Sequence, residues 1–327
     1  MKSGRRVTVV SHGPNCLDGL TCAVVAARYF ARRPLEAIFS SNRAIDEILQ
    51  NFNPDQPSDE ELWITDISWR SDKTTDHLNE LVDHGLELYW VDHHKTALEA
   101  REHGRLQARF TDFILDMKYS ASRLLFEYLS RRIAARGESR PGLLALRNLV
   151  MTADDVDRWV LQVDGSRELA LAVRAMDQRE AYRALLAMDS SLTYGIELSR
   201  ARDRVERELQ ATLLLATATR SIRQVHARDL TVIAAECDGY AGEIADRWRE
   251  RYKRGVFTLY DRRGGGISFR RTPDCSVDLS RLANAFGGGG HEAAAGCEVE
   301  VPGPNRAVTL MNMVAEALER EADTEAT

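Results

Sequence analysis

Short apolar runs alternate with longer amphipathic segments in the first part of the chain. Four of the runs have the length and composition of buried strands: residues 7–10, 35–39, 62–65 and 86–91. Between them, residues 18–31 and 71–84 are predicted to form helices, the first closed by Pro34 and the second by Gly85. This alternating order predicts a parallel sheet that is covered by helices on both faces.

The pattern changes in the second half of the chain. Residues 195–225 are rich in Arg, Glu, Leu and Ala and contain no Pro, which predicts a long helix. Strand-like runs then return, followed by a short helix and a run of glycines: residues 230–234, 256–259, 266–270, 279–285 and 287–290. We therefore expect an α/β protein in which a parallel-sheet domain (1–194) is joined by a connecting helix (195–225) to a smaller α/β domain (226–327).

The composition limits the choice of partners and compartment. With 327 residues and a net charge of −6, the chain has room for two domain cores but lacks the broad basic surface that long duplex nucleic acid requires. Its five cysteines are scattered and never form a CxxC pair, so a disulfide framework is not expected. Free cysteines favour the reducing cytoplasm as the location of the protein. No apolar run is long enough for a membrane span.

Histidine and aspartate residues occur where the predicted strands end and once more further along the chain. They form four groups: His12 with Asp18, Asp66, Asp92-His93-His94, and Asp154-Asp155-Val156-Asp157. Because the carboxyl ends of neighbouring parallel strands meet at one edge of a sheet, these side chains are expected to converge. Carboxylates mixed with imidazoles suit manganese-like divalent cations, which can activate water for attack on phosphorus.

Each of these groups has an ordinary explanation when it is taken alone. A single histidine after a strand is more often a turn or core residue than a ligand, and Asp18 or Asp66 could simply cap a helix. The acidic group around Asp155 would by itself be a solvated turn. A metal site is favoured because all four groups occur in one α/β chain.

A second candidate binding element lies near the C-terminus. It consists of Gly287, Gly288, Gly289, Gly290 and His291. Glycines let the backbone approach a ligand closely, with amides available to an anion, although a flexible loop is the usual alternative. Residues 292–296 are predicted to start a helix, which favours a phosphate cradle. Arg270, at the end of a predicted strand, could bind phosphate in a bidentate manner or could be an exposed strand-end charge.

Taken together, these residues resemble the DHH phosphoesterase superfamily. The matching pieces are His12-x5-Asp18-Gly19, Thr65-Asp66, Val91-Asp92-His93-His94, Asp155-x-Asp157-x-Trp159, Ser268-x-Arg270, Asp278-Leu279-Ser280 and Phe286-Gly287-Gly288-Gly289-Gly290-His291. The last three resemble the DHH-associated substrate-binding domain, so the resemblance covers both expected domains. The superfamily includes nano-RNases, cyclic-dinucleotide phosphodiesterases, pAp phosphatases and a RecJ-like exonuclease core.

The resemblance implies a role for each matching position. The expected metal ligands are His12, Cys16, Asp18, Asp66, His93 and Asp155, which would hold two ions, manganese by the family pattern, with Asp66 between them. Asp155 is preferred to Asp154 only because of the Asp-x-Asp-x-Trp match. Asp66, Asp92 and His94 would form the catalytic group, in which Asp92 orients a histidine and His94 contacts the scissile phosphate. The nucleotide would be held by Arg270, Gly288, Gly289, Gly290 and His291, in a cleft between the two domains.

One position departs from the family pattern. The superfamily usually has an aspartate two residues before the residue that matches Asp18, and this chain has Cys16 there. A thiolate could make the first metal site prefer zinc or iron, and the site could also be weak or empty. Asn15 could supply an oxygen ligand instead, or oxidation of Cys16 could switch the activity off. A small buried cysteine without a binding role is the remaining alternative.

Three functions are compatible with these features. The leading one is a metal-dependent phosphodiesterase, a phosphoric ester hydrolase that degrades short oligonucleotides to 5′-mononucleotides with metal-activated water. The second is a cyclic-dinucleotide phosphodiesterase or a pAp phosphatase. The third is a nucleotide sensor without turnover, for which Cys16 is the only support. Substrate length, RNA or DNA preference, metal identity and oligomeric state stay open, and a homodimer is one option.

Overall fold

Five parallel strands form the sheet of the first half of the chain. The computed structural model describes residues 4–13 and 16–325. The strands, in chain order, are β1 (Arg6–His12), β2 (Leu35–Ser40), β3 (Glu60–Thr65), β4 (Glu87–Asp92) and β5 (Asp112–Leu115). They lie in the order β2-β1-β3-β4-β5 with every neighbouring pair parallel. The expected parallel sheet is confirmed.

Helices pack on both faces of this sheet. They are α1 (Leu17–Tyr29), α2 (Ile45–Gln50), α3 (Asp72–Asp83), α4 (Lys95–Glu102), α5 (Ala121–Ala135), α6 (Pro141–Leu144), α7 (Arg147–Asp157), α8 (Ser166–Arg174), α9 (Gln178–Leu186) and α10 (Ile196–Thr219). Successive strand residues point to opposite faces. Val9 and Trp63 pack in the cluster built with α1 and α5, whereas Val10 and Ile64 pack in the cluster built with α2 and α3. Burial on both faces explains why the strands are almost continuously apolar.

The sequence analysis missed the fifth strand. β5 has only four residues and lies at the edge of the sheet, where Asp112 and Phe113 are exposed. A short and half-exposed edge strand needs no continuous apolar run, so hydrophobic patterning does not detect it.

The described chain divides into two compact units, the first ending at Val205 and the second beginning at Glu206. The boundary falls within α10. Residues Leu198 and Ala201 of this helix belong to the core of the first unit, and Ala216 belongs to a core of the second. The predicted helix is confirmed up to Thr219, but residues 221–225 form a strand instead of its last turns, because they pair with the strand that follows.

A six-stranded mixed sheet forms the second unit. Its strands are β6 (Ser221–Val225), β7 (Leu230–Cys237), β8 (Gly255–Asp261), β9 (Gly266–Arg271), β10 (Gly289–His291) and β11 (Ala294–Glu298), and its further helices are α11 (Ala241–Trp248), α12 (Leu279–Asn284) and α13 (Arg306–Glu325). The strand order is β10-β11-β9-β8-β7-β6, and of these pairs only β7 with β8 is parallel among the described residues. None of the helices in the described part of the chain has the length and apolar character needed to cross a membrane.

The glycine run forms one side of a hairpin and does not lead into a helix. Residues 289–291 pair antiparallel with residues 294–296, so the expected helix start at 292–296 is wrong. The two segments approach so closely that a Cβ at Gly288 would lie 2.1 Å from the carbonyl oxygen of Gly296. A Cβ at Gly290 would lie 2.5 Å from the Cα of Ala295. These glycines are therefore explained first by backbone packing.

The start of α1 is pressed against the end of β1. A Cβ at Gly19 would lie 2.2 Å from the carbonyl oxygen of His12, so only glycine fits there without movement of the helix or the strand. The hydroxyl of Ser11 donates to the Gly19 carbonyl at 2.7 Å, and the hydroxyl of Thr65 donates to Ser11 at 2.8 Å. These contacts tie the ends of β1 and β3 to the first turn of α1.

We expect Gly19→Ala to lower the stability of the protein. The added methyl group would force α1 away from β1, at a cost on the order of 1–3 kcal/mol, seen as a lower urea midpoint in circular dichroism. Gly242→Ala in α11 is the matched control, because a Cβ there meets nothing within 4 Å. Alanine in that half-buried helical position should raise stability by about 0.5–1 kcal/mol. Equal midpoints for the Gly19→Ala and wild-type proteins would contradict this account.

Candidate metal centre

The expected histidine and aspartate groups meet at one edge of the first sheet. β2 and β3 lie on opposite sides of β1, so the chain changes direction across the sheet between β1 and β3. Ligand sites in open α/β sheets form at the carboxyl ends of the strands beside such a switch point. His12 is the last residue of β1, Asp66 follows β3 directly and Asp92 ends β4. The local order of strand and turn thus places all three at the crevice.

Asp66 lies at the centre of this edge. It is 2% exposed and has a φ of +59°, an uncommon backbone conformation for a residue other than glycine. Its amide donates to the carbonyl of Val91 at 2.9 Å, which fixes the turn to the end of β4. A strained backbone held in this way often marks a functional position.

The two carboxylate oxygens of Asp66 face different partners. Oδ2 lies 3.5 Å from Nδ1 of His12 and 3.5 Å from Sγ of Cys16. Oδ1 lies 3.3 Å from Nε2 of His93 on the other side. A carboxylate arranged in this way can bridge two cations, one on each oxygen.

A second donor group lies on the His93 side of Asp66. Single ligand atoms of Asp18, His93 and Asp157 all lie within 4.8 Å of one another, and Nε2 of His93 is 3.4 Å from Oδ2 of Asp157. This nitrogen is buried and makes no hydrogen bond with any residue that the structure describes. A bound cation would satisfy it, and the imidazole and carboxylate donors suit a divalent ion. The residues present therefore fit a metal.

The charges of the cluster are strongly coupled. Burial alone would raise the pKa of Asp66, but the neighbouring histidines His12 and His93 outweigh it and lower that pKa to about 2. Burial alone would lower the pKa of His93, but Asp66, Asp157 and Asp18 outweigh it and raise that pKa to about 9. The centre thus pairs one firmly ionised carboxylate with a protonated imidazole when no cation is bound.

The outer carboxyls of the cluster hold protons more tightly than usual. Burial and the negative charge of Asp66 raise the pKa of Asp157 to about 6. The same two causes, with Asp157 added, raise the pKa of Asp18 well above its ordinary range. Burial, followed by Asp66 and Asp18, raises the pKa of the Cys16 thiol as well. This excess of acidic groups is balanced when cations bind.

Asp92 has a different task from Asp66. It is fully buried, and its Oδ1 accepts hydrogen bonds from the amides of His93 and His94 and from Nδ1 of His94 at 2.7 Å. The hydroxyl of Ser68 donates to its other oxygen at 2.6 Å. The hydrogen bond that His94 donates to Asp92 raises the pKa of His94, so this half-exposed ring holds its second proton more readily. The expectation that Asp92 orients a histidine agrees with these contacts.

Asp155 does not join the cluster, which corrects the ligand predicted from the sequence. Its oxygens accept hydrogen bonds from the hydroxyl of Ser166 at 2.6 Å and from the amide of Gln162 at 2.8 Å. Asp154, the alternative, accepts from the amide of Ser120 at 2.7 Å and from Arg123 at 2.9 Å. Asp157 joins the cluster instead, with a carboxylate oxygen within 4.8 Å of ligand atoms of Asp18 and His93.

Helical geometry explains why Asp157 was missed. Positions 155 and 157 lie near the end of α7, and two residues two apart on a helix point about 200° away from each other. Only one of them can face the metal centre, and a linear motif does not say which. The Asp-x-Asp spacing on a helix was the signal that could have shown that only one of the two aspartates faces the centre. Asn15, the suggested oxygen donor, lies outside the described residues.

The predicted nucleotide-binding residues of the second unit lie in one row across three strands. Arg270 on β9 is paired with Ala294 on β11, and Ala294 is paired with His291 on β10. Directly paired residues point to the same face, so Arg270 and His291 flank a small residue at a separation of about 10 Å. His291 is exposed, and burial lowers the pKa of Arg270. Gly288, Gly289 and Gly290 lie beside this row.

One family model and one relative of known function match this chain. The family model described as the DHHA1 domain matches residues 229–320. Oligoribonuclease NrnB of Bacillus subtilis (strain 168) is 25% identical over 301 residues, which are 87% of this chain and 71% of that protein.

Solved structures share the fold. The pGpG-specific phosphodiesterase PggH from Vibrio cholerae aligns over 98% of this chain and 99% of its own, with a TM-score of 0.58 and 13% identity. An exonuclease RecJ bound to manganese aligns over 99% of this chain and 91% of its own, with a TM-score of 0.55 and 16% identity. The residues Asp92-His93-His94, the convergent carboxylates and the matched second unit agree with these likenesses. Residues 229–320 thus form a DHHA1 domain, and the chain as a whole is similar to an oligoribonuclease and shares its fold with DHH-type phosphodiesterases and exonucleases.

Proposed function

We propose that this protein is a metal-dependent phosphodiesterase that hydrolyses short oligonucleotides to 5′-mononucleotides. As a DHH phosphoesterase it is a phosphoric ester hydrolase, and the substrate is what the proposal adds. The observation that carries the proposal is the arrangement around Asp66, where donor groups for two cations face its two oxygens beside the oriented ring of His94.

Two groups of side chains would hold the ions. They are His12, Cys16 and Asp66 on one side, and Asp66, Asp18, His93 and Asp157 on the other. Divalent ions bound there supply positive charge for a phosphate group and lower the pKa of water. Manganese is the first choice for carboxylate and imidazole donors, and the RecJ neighbour is described as bound to manganese.

His94 is the candidate catalytic residue that does not need to bind metal. Its Nδ1–H donates to Asp92, which fixes the ring and leaves the Nε2 proton for a phosphate oxygen. A ring that holds both protons can stabilise the negative charge that develops on the phosphate in the transition state. Asp92 then acts as a positioning residue, because it sets the orientation and charge of His94.

Short substrates are favoured over long nucleic acid. The named relative NrnB is an oligoribonuclease, and the net charge of −6 argues against a surface for long duplexes.

In the DHHA1 domain, we assign the binding of a substrate phosphate or base to Arg270 and His291, with Gly288, Gly289 and Gly290 beside them. Burial of Arg270 strengthens a charge-assisted contact to phosphate. The cysteines are free thiols, which is consistent with a protein that works in the reducing cytoplasm.

A substrate panel tests the proposed function. Manganese-loaded protein would be offered 5′-labelled RNA of two to seven nucleotides, cyclic dinucleotides and pAp. We expect the shortest oligonucleotides to disappear fastest and to leave 5′-mononucleotides. Faster turnover of a cyclic dinucleotide or of pAp would show that this compound, and not a short oligonucleotide, is the substrate. Binding of a nucleotide with no turnover of any compound would indicate a sensor.

We expect His94→Ala to lower kcat by about 10²–10³-fold, because one donor to the transition-state phosphate is lost. Its metal content, measured by atomic emission, should stay at the wild-type level. His84→Ala is the control, since His84 is an exposed histidine at the end of α3 and should keep the wild-type rate. A His94→Ala protein with full activity would remove His94 from the mechanism.

We expect Asp155→Ala to lose stability and Asp157→Ala to lose bound metal. Asp155→Ala leaves the Ser166 hydroxyl and the Gln162 amide without their acceptor, so we expect a loss of stability of about 1–3 kcal/mol and a normal metal content. Asp157→Ala removes a carboxyl buried beside Asp66, so we expect a lower metal content and no loss of stability in the metal-free protein. Metal analysis and thermal unfolding separate the two variants, and the opposite assignment would restore Asp155 as the ligand.

A further inference from the structure

We propose that the two cation positions of this centre are chemically unequal. The position formed by His12, Cys16 and Asp66 contains a sulfur ligand and selects a zinc-like ion. The position formed by Asp18, His93 and Asp157 offers only oxygen and nitrogen and takes a manganese-like ion. This inference rests on the proposed function only in that cations bind at Asp66, and its test does not depend on turnover.

The first support is the way in which donors are divided between the oxygens of Asp66. Cys16 Sγ and His12 Nδ1 both lie 3.5 Å from Oδ2. His93 Nε2 lies 3.3 Å from Oδ1. The sulfur therefore belongs to one side of the bridging carboxylate. The three ligand atoms on that side lie within 4.8 Å of one another, close enough to share one ion.

The second support is that cysteine is a poor capping residue for the helix that it precedes. It occupies the N-cap of α1 with φ −84° and ψ 121°, the backbone conformation in which serine or aspartate accepts a hydrogen bond from the first turn. The Cys16 side chain makes no such capping hydrogen bond. Its sulfur is directed to Asp66 instead. Helix stability would favour serine or aspartate at this position, so the cysteine is better explained as a ligand.

The donor chemistry then decides which ion each position prefers. A thiolate with an imidazole suits zinc or iron, whereas carboxylates with an imidazole suit manganese. The bare thiol donates its hydrogen to Asp66 in the metal-free protein. Cys16 would bind a cation as a thiolate, so its S–H bond would break and its proton would leave to solvent, with no change in oxidation state.

Cys22 provides a matched control within the same helix. It is fully buried, lies six residues after Cys16 in α1 and belongs to none of the metal-binding groups found among the described residues. Cys22→Ala therefore removes a thiol close to the centre without removing a predicted ligand. Cys16→Ser and Cys16→Asp are both expected to fold, because serine and aspartate are better N-cap residues than cysteine.

Cobalt titration of the metal-free protein reports directly on the sulfur. Co²⁺ bound by a thiolate gives a near-ultraviolet charge-transfer band that oxygen and nitrogen ligands do not produce. We expect this band in the wild-type and Cys22→Ala proteins and its loss in Cys16→Ser, with circular dichroism showing that all three are folded. A band of unchanged strength in folded Cys16→Ser would overturn the inference.

Dialysis against equal concentrations of zinc and manganese tests the selectivity. We expect the ratio of bound zinc to bound manganese to be higher in the wild-type protein than in Cys16→Asp, by on the order of tenfold, because the variant replaces the sulfur ligand with oxygen. An equal ratio in the two proteins would contradict the proposal. A protein that shows the band and this difference in ratio but hydrolyses nothing would keep this inference and end the proposed function. Hydrolysis without the band would keep the proposed function and overturn this inference.

Discussion

The burial of the Asp66 carboxylate is the constraint on which the functional part of this protein depends. A buried ionised carboxylate without partners is costly, so it is retained only where opposite charges or hydrogen bonds compensate for the lost water. Here the compensation comes from His12 on one oxygen and His93 on the other. His12 ends β1 and His93 follows β4, and the sheet order brings the carboxyl ends of these strands to the same crevice. The metal centre is thus a consequence of the sheet, and its strained turn at Asp66 is held by the hydrogen bond to Val91.

The same arrangement explains why the centre is prepared for cations. Asp18 and Asp157 lie close to Asp66, and burial, followed by repulsion from Asp66, keeps their pKa values high. In the metal-free protein, protons and the His93 imidazolium neutralise the cluster. A divalent ion bound there would replace them and would satisfy the buried Nε2 of His93, which makes no hydrogen bond with any described residue. Asp92 stands apart from this exchange, because its hydrogen bonds are already filled by His93, His94 and Ser68.

Aspartates that look alike in the sequence have separate tasks in the structure. Asp154 binds Arg123 and the amide of Ser120, Asp155 holds the loop that follows α7, and Asp157 faces the metal centre. The loop held by Asp155 contains Trp159 and Leu161, both with positive φ. The carboxylate of Asp155 therefore stabilises a strained loop beside a ligand, and its burial has a structural cause that a ligand motif does not reveal.

Local patterning by itself determined much of this protein. Apolar runs bounded by turns specified β1 to β4, because strands buried on both faces must be continuously apolar, and the residues after those runs specified His12, Asp66 and Asp92 as neighbours. Only the tertiary structure decided which aspartate of α7 faces the centre, since that depends on the rotation of a helix against the sheet. It also decided that residues 221–225 and 294–296 are strands, because the first segment pairs with β7 and the second pairs with β9 and β10. Backbone pairing with a partner strand does not require an apolar run, whereas burial on both faces of a sheet requires apolar residues along the whole strand.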